Sequence, residues 1–103
     1  MTPTQIPDLA TLEGEELNYW CGVAAGKDME RILAGKAWIH WNPIQDAAQC
    51  LALTPRCNIQ WYAHEYCLVN IILDDGKCSG AAFGHTELIA RCRAFLEAKR
   101  REG

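Results

Sequence analysis

The chain has 103 residues, of which 50% are hydrophobic and 22% are charged, and its formal net charge is −3. This composition argues against disorder, the length suits one domain with a real core, and the mild negative charge argues against nucleic acid as a partner. No run approaches the ~20 apolar residues of a membrane helix, and the first 16 residues lack a signal-peptide pattern. We therefore expect a cytoplasmic protein with no membrane partner.

The N-terminal part is predicted to be a flexible lead-in followed by one helix. Residues 1–10 contain two prolines and no periodicity, so the folded domain is expected to span residues 11–103. A helix is predicted over residues 12–25, with Thr11 as its N-cap and Gly26 as its stop. Its apolar stripe consists of Leu17, Trp20, Cys21 and Ala24.

The next segment is predicted to contain two short strands and a short helix. Residues 29–33 and 37–40 favour strands, although the first could instead be a helical turn. Asn42 is a good N-cap and Pro43 suits the first helical turn, which predicts a helix ending near residue 53. This helix is expected to pack through Ile44, Ala47, Ala48 and Leu51.

A strand hairpin is predicted from two apolar segments on either side of a short loop. Residues 57–63 alternate in polarity, residues 67–73 are rich in β-branched side chains, and residues 64–66 remain as the loop. The core-face pairs would be Ala63 with Cys67, Trp61 with Val69, Ile59 with Ile71, and Cys57 with Leu73. The opposite face would carry Tyr62, Leu68 and Ile72 beside Asn58, Gln60 and Asn70.

A third strand follows an Asp-Gly turn signal, and its register depends on the turn length. A two-residue turn at 75–76 would place Cys78, Gly80 and Ala82 on the core face. A three-residue turn would place Ser79, Ala81 and Phe83 there instead. With either turn the small side chains of this strand allow a helix to lie close.

The last predicted element is an amphipathic helix over residues 87–100, capped by Thr86. Pairs of opposite charge at i, i+4 are predicted on its solvent side, Glu87 with Arg91 and Glu97 with Arg101. Its apolar stripe is formed by Leu88, Ile89, Cys92, Phe95, Leu96 and Lys99. The elements together predict an α+β fold, a small antiparallel meander of about three strands, with one or two more short ones, packed on one face by helices.

Neither the cysteines nor the histidines form a recognisable site. The six cysteines include no C-x-x-C pair, and we expect them to be reduced and mostly buried. His40, His64 and His85 lack metal-ligand spacing. We therefore predict no catalytic residue, no cofactor and no metal. The alternative is a small enzyme that pairs one cysteine with His64 or His85.

Two surfaces are candidates for binding a partner. The outer sheet face, with Tyr62, Leu68 and Ile72, has the mixed apolar and polar character of an interface, unless residues 27–40 cover it. Trp38 and Trp41 are either binding anchors or covers for the edge of the core. The basic run at residues 99–101 is either a nucleic-acid contact or a set of cations that suits a helix C-terminus.

Three stretches of the chain resemble the NinX-like proteins of lambdoid phages and prophages. They are residues 12–18 (LEGEELN) running on to 25–26, residues 42–46 (NPIQD) with Ala48, and residues 84–90 (GHTELIA) with Arg93 and Lys99. The last is similar to the closing G-x-T-x-L-I-A motif of that family. The resemblance implies a small phage accessory protein of the bacterial cytoplasm, and it carries over no catalytic or binding residue. With no reactive constellation in the sequence, we expect it to act by binding a host or phage protein, with a homodimer as the alternative.

Overall fold

The computed structural model describes residues 11–28, 30, 41–54, 56–63, 65–72 and 78–102, without the side chains of 78, 79, 101 and 102. The described residues form helices α1 (Gly14–Ala24) and α2 (Ala47–Leu53), strands β1 (Cys57–Tyr62), β2 (Tyr66–Ile72) and β3 (Cys78–Gly84), and helix α3 (Glu87–Glu102). The strands form one antiparallel sheet in the order β1-β2-β3. The predicted α+β fold with a three-stranded meander is confirmed. The lead-in at 1–10, the strand at 37–40 and nearly all of the strand at 29–33 lie outside the described residues.

Strands β1 and β2 form the predicted hairpin, but in a register that differs by two residues. Trp61 pairs with Cys67 and Ile59 pairs with Val69, so the predicted partners are wrong. Ala63 and Glu65 both lie in the loop, where Ala63 has a φ of 54° and the Glu65 N–H donates to the Tyr62 carbonyl at 3.0 Å. A shift of two residues keeps the side chains of residues 57–62 and 67–72 on their predicted faces, since side-chain direction alternates with a period of two.

Trp61 does not lie in the core, although the alternation in β1 predicted that it would. Its exposed fraction is 48%. Strand β1 is an edge strand, and α3 packs over β2 and β3. On the face of β1 that points towards the helix, only Cys57 and Ile59 pack against the core, and both are partly buried.

Strand β3 takes the register expected for the shorter turn. Ala82 pairs with Val69, and an irregularity separates the Gly80–Ile71 pair from the Cys78–Ile72 pair. Gly80 and Ala82 therefore face α3, and the alternative with Ser79, Ala81 and Phe83 on the core face is wrong. The turn predicted at 75–76 lies outside the described residues.

Helix α3 lies in direct backbone contact with β3. A Cβ atom added at Gly80 would be 2.6 Å from the Ala98 nitrogen, and one added at Gly84 would be 2.6 Å from the Ala90 nitrogen. This approach is possible because neither glycine has a side chain. The predicted close packing of the helix on a small-sided strand is confirmed.

Helix α3 is the central element of the fold. The prediction of one apolar stripe and one solvent-exposed side is wrong for most of its length. Thr86 caps it as predicted, accepting a hydrogen bond from the Ile89 N–H at 3.2 Å. Residues 90–96 are all buried, because α3 lies between the sheet and the other two helices. Its sheet side packs in a cluster of Cys67, Val69, Ala90 and Ala94. Its other side packs in a cluster of Leu12, Leu17, Cys21, Cys50, Cys92, Phe95 and Leu96.

Helix α1 begins two residues later than predicted. Glu13, not Thr11, is its N-cap, and no side chain forms the capping hydrogen bond. Leu12, which the prediction placed inside the helix, lies just before it and is buried at 2% exposure. The predicted stop at Gly26 is confirmed, since this residue has a φ of +81°. The next N–H, from Lys27, donates to the Gly22 carbonyl at 2.9 Å, as in a Schellman motif.

Helix α2 begins at Ala47, and the predicted start at Asn42 is wrong. Asn42 instead closes a separate turn, in which its carbonyl accepts the N–H of Asp46 at 2.7 Å. Asp46 is the true cap, since its side chain accepts the Gln49 N–H at 3.1 Å. The later start changes which face is buried. Cys50 is buried and Ile44 and Leu53 pack on the core, whereas Ala47, Ala48 and Leu51 are exposed, contrary to the prediction.

Candidate binding surface on the outer sheet face

The outer face of the sheet is the side away from α3. Along β2, Cys67 and Val69 are buried against the helix, so Leu68 points to the other side and is half-buried. The register places Leu68 between Gln60 and Phe83 in one row, and Asn70 between Asn58 and Ala81 in the next. Tyr62, Leu68 and Ile72 thus lie on one face, as the alternation predicts.

Three aromatic rings form a cluster at the hairpin end of this face. Tyr62 and Tyr66 are directly opposed across the strands and stack with centroids 5.3 Å apart. Phe83 contacts both rings, at centroid distances of 6.1 Å to Tyr62 and 5.5 Å to Tyr66. We call Tyr62, Tyr66 and Phe83 the aromatic cluster. The ring distances in this cluster are within the range in which aromatic pairs stabilise a protein by more than the burial of their surface alone.

The aromatic cluster is largely exposed. Phe83 is 51% exposed and Tyr66 is 40% exposed, which places them among the most exposed large apolar side chains of the described residues. Asn58 and Gln60, on the same face, are also exposed. Apolar rings beside a polar rim are the usual composition of a protein–protein interface.

Sequence reasoning missed Tyr66 and Phe83. Tyr66 was assigned to the loop, and the position of Phe83 depended on a turn length that the sequence left open. A loop set one residue earlier, at 63–65, would have placed Tyr62 opposite Tyr66. That pairing of two tyrosines is the signal that could have located the cluster.

A pocket opens beside the aromatic cluster. Its volume is about 510 Å³, and it is lined by Glu65, Tyr66, Phe83, Gly84, His85 and Arg93. Arg93 comes from α3 and is only 8% exposed. Its Nε donates to the Leu12 carbonyl and its Nη1 donates to the Phe83 carbonyl, each at 3.0 Å. The guanidinium therefore joins the segment before α1 to the end of β3 and forms one wall of the pocket.

Trp41, predicted to be either a binding anchor or a cover for the edge of the core, packs against the core. Trp41 is partly buried against the core, its indole N–H donates to the Asn18 carbonyl at 2.9 Å, and the Lys27 ammonium lies 5.2 Å from its ring centre. These contacts attach Trp41 to α1, away from the outer sheet face. Trp38 lies outside the described residues.

Three cysteines from three different helices meet in the core. The Cys50 and Cys92 sulfurs are 3.8 Å apart, and the Cys21 thiol donates to the Cys92 carbonyl at 3.7 Å. The hydrogen bond with Cys92, together with burial, raises the pKa of Cys50, and the hydrogen bond with Cys21, together with burial, raises the pKa of Cys92. Such thiols remain protonated and are poor nucleophiles, so they give no support to a cysteine enzyme.

Cys57 and Cys67 lie on strands of the sheet, with the sheet-side cluster of the core. Burial raises the pKa of Cys57 and of Cys67. His85 is exposed beside the pocket, whereas His40 and His64 lie outside the described residues. Within the described part of the chain, no group of three His, Cys, Asp or Glu side chains is placed to hold a metal ion.

The basic C-terminal run is engaged within its own helix. Arg100 forms an ion pair with Glu97 at 2.7 Å, and the Lys99 ammonium lies 5.7 Å from the Phe95 ring centre. The side chain of Arg101 is outside the described part. The predicted pair of Glu87 with Arg91 is present at 2.9 Å, although Arg91 is buried at 8% exposure and not on the solvent side.

The fold and this surface define a small α+β protein with an exposed aromatic face on its sheet. No protein-family model matches the chain, and no curated protein or solved structure matches it either. Of the helices that the structure describes, none combines the length and the apolar character needed to cross a bilayer.

Proposed function

We propose that this chain is a non-enzymatic accessory protein that binds another protein through the outer face of its sheet. The exposed aromatic cluster is the observation that carries the proposal. Aromatic side chains are enriched in interface cores, and ordering them on binding costs little conformational entropy because each has few rotatable bonds. Tyr66 and Phe83 are positioned by paired strands, so the surface is largely formed before a partner binds.

The occupant that fits this face is an apolar segment of a protein partner. Leu68 continues the apolar surface along β2, Asn70 separates it from Ile72 on the same face, and the polar side chains of Asn58 and Gln60 border it. Such a strip suits apolar side chains at its centre and backbone or amide groups at its border. From the resemblance to the NinX-like proteins we propose a phage or prophage origin, and a host or phage protein of the bacterial cytoplasm as the partner.

The test is affinity capture from bacterial lysate, compared between variants. Phe83→Asp and Tyr66→Asp should each lose the captured protein, because a carboxylate in the centre of an apolar interface is desolvated without a partner. Leu51→Asp is the matched control, because Leu51 is 46% exposed but lies on α2. This control should retain the captured protein.

Two results would contradict the proposal. One is equal capture by the Phe83→Asp variant and by the wild type, with both folded by circular dichroism. The other is concentration-dependent dimerisation in light scattering that Phe83→Asp abolishes while no other protein is captured. That result would assign the face to a second copy of this chain.

A further inference from the structure

Two arginines of α3 differ in how their charge is balanced. Arg91 and Arg93 are each 8% exposed. The Arg91 guanidinium lies 2.9 Å from the Glu87 carboxylate. Among the described residues, Arg93 has no carboxylate within ion-pair distance, and its side-chain hydrogen bonds go to two neutral carbonyl oxygens. A buried charge is normally paired, so Arg93 is the exception that requires an explanation.

Arg93 also has N–H donors that form no hydrogen bond, and it lines the pocket. A guanidinium carries five N–H groups, and the bonds to the Leu12 and Phe83 carbonyls use one on Nε and one on Nη1. No buried side-chain nitrogen or oxygen of the described residues lacks a hydrogen-bond partner. Nη2 is therefore not completely buried, and Arg93 is one of the residues that line the pocket.

The walls of the pocket restrict what can approach these donors. Tyr66 and Phe83 are shared between the pocket and the aromatic cluster, so a ligand that reaches Arg93 also contacts an apolar ring. Glu65, Tyr66 and His85 are the other titratable side chains that line the pocket. The Glu65 carboxylate disfavours a doubly charged phosphate more than a singly charged carboxylate. A planar carboxylate also matches the fork of a guanidinium.

We propose that Arg93 receives a side-chain carboxylate of the partner protein, while an adjacent apolar side chain of the same segment packs on Tyr66 and Phe83. This inference rests on the proposed function and names the partner chemistry, an acidic residue next to an apolar one. A protein segment is favoured over a free small acid because the pocket shares Tyr66 and Phe83 with the aromatic cluster, so an apolar surface adjoins the guanidinium.

The experiment is a nuclear magnetic resonance titration of the full chain with two blocked dipeptides. One is N-acetyl-Phe-Glu-amide and the other is its Gln counterpart, which has the same shape without the charge. We expect the Glu dipeptide to shift the Arg93 Nε–H signal and the amide signals of Phe83, Gly84 and His85. The Kd of the Glu dipeptide should be lower than that of the Gln dipeptide by about fivefold or more, as expected for one charge-assisted hydrogen-bond pair.

A variant that leaves Arg93 in place keeps the test independent of folding. Glu65→Gln should lower the Kd of the Glu dipeptide by about twofold to fivefold and leave the Kd of the Gln dipeptide unchanged, because it removes from the pocket a charge of the same sign as the ligand. Glu16→Gln, an exposed position on α1, is the control for net charge and should have no such effect.

Several outcomes would overturn the inference. They are equal Kd values for the two dipeptides, shifts confined to residues outside the pocket, and no response to Glu65→Gln. Tighter binding of inorganic phosphate than of the Glu dipeptide would assign the pocket to a phosphorylated ligand instead. If the Phe83→Asp variant still loses its captured partner while the dipeptides fail to discriminate, the proposed function stands and only the carboxylate is wrong.

Discussion

A methyl group added at Gly80 has no room in this fold. The new Cβ would lie 2.6 Å from the Ala98 nitrogen, 2.8 Å from the Ala94 carbonyl oxygen and 2.9 Å from the Ala98 Cα. All three atoms belong to the backbone of α3, so no side-chain rotation relieves the contact. Ordinary contact begins near 3.4 Å, so the helix would have to move by about 0.8 Å.

Moving α3 by that distance would loosen its packing on the sheet. Val69 and Ala94 would lose contact, and both are fully buried. We expect Gly80→Ala to lower the free energy of unfolding by about 3 kcal/mol, the upper end of the range for overpacked cores. Urea unfolding followed by far-ultraviolet circular dichroism measures this change as a shift in midpoint at constant slope.

Gly26→Ala is the control, because it makes the same chemical change where no atom lies within 4 Å. Its φ of +81° leaves only the backbone strain of a left-handed conformation, about 1 kcal/mol. If Gly80→Ala were no more destabilising than Gly26→Ala, the close approach of α3 to β3 would be refuted. Gly84→Ala should lower the free energy of unfolding as much as Gly80→Ala does. The double variant should lose less than the sum of the two single losses, since one displacement of α3 relieves both contacts.

Two further predictions concern the helix side of the core. Asn18→Ala should lower the free energy of unfolding in urea by about 2 kcal/mol, because the Asn18 side chain donates to the Asn42 side chain at 2.8 Å and accepts the Ile44 N–H at 3.2 Å. A variant as stable as the wild type would show that water replaces both hydrogen bonds. The raised pKa of Cys50 and of Cys92 means that above the ordinary thiol value of 9.0 the unfolded chain loses protons that the folded chain keeps, so stability should fall as pH rises through that value. Above that value each thiol should lower the free energy of unfolding by about 1.4 kcal/mol per pH unit. Cys50→Ala, measured alongside wild type, should remove one such contribution. An identical pH dependence in both proteins would show that the Cys50 thiol ionises as freely in the folded chain as in the unfolded chain.

The hairpin illustrates which structural information the sequence contained. Alternation of polar and apolar residues correctly predicted which face each side chain of β1 and β2 occupies. The same alternation is unchanged by a shift of two residues, so it could not determine the partners. The partners were decided by the left-handed conformation of Ala63, a residue type that rarely adopts it.

The helical part shows a different limit. The cap at Thr86 was predictable because a threonine precedes a long apolar repeat. The start of α2 was not, because Asn42 and Asp46 are both good caps and the choice depends on tertiary contacts. Asn18 of α1 bonds the 42–45 turn, and this contact spans more than twenty residues. The candidate pocket escaped prediction for the same reason, since Leu12, Phe83 and Arg93 are brought together only by the completed fold.

The central place of α3 has a consequence for the order in which the chain can fold during synthesis. Both hydrophobic clusters take members from residues 87–102, so neither can close while only the preceding residues have emerged from the ribosome. Until then α1, α2 and the hairpin have apolar faces without their main packing partner. Nascent chains of this protein should therefore be clients of chaperones that shield exposed apolar segments, and a stop codon before Glu87 should yield an unfolded fragment and not a smaller stable domain.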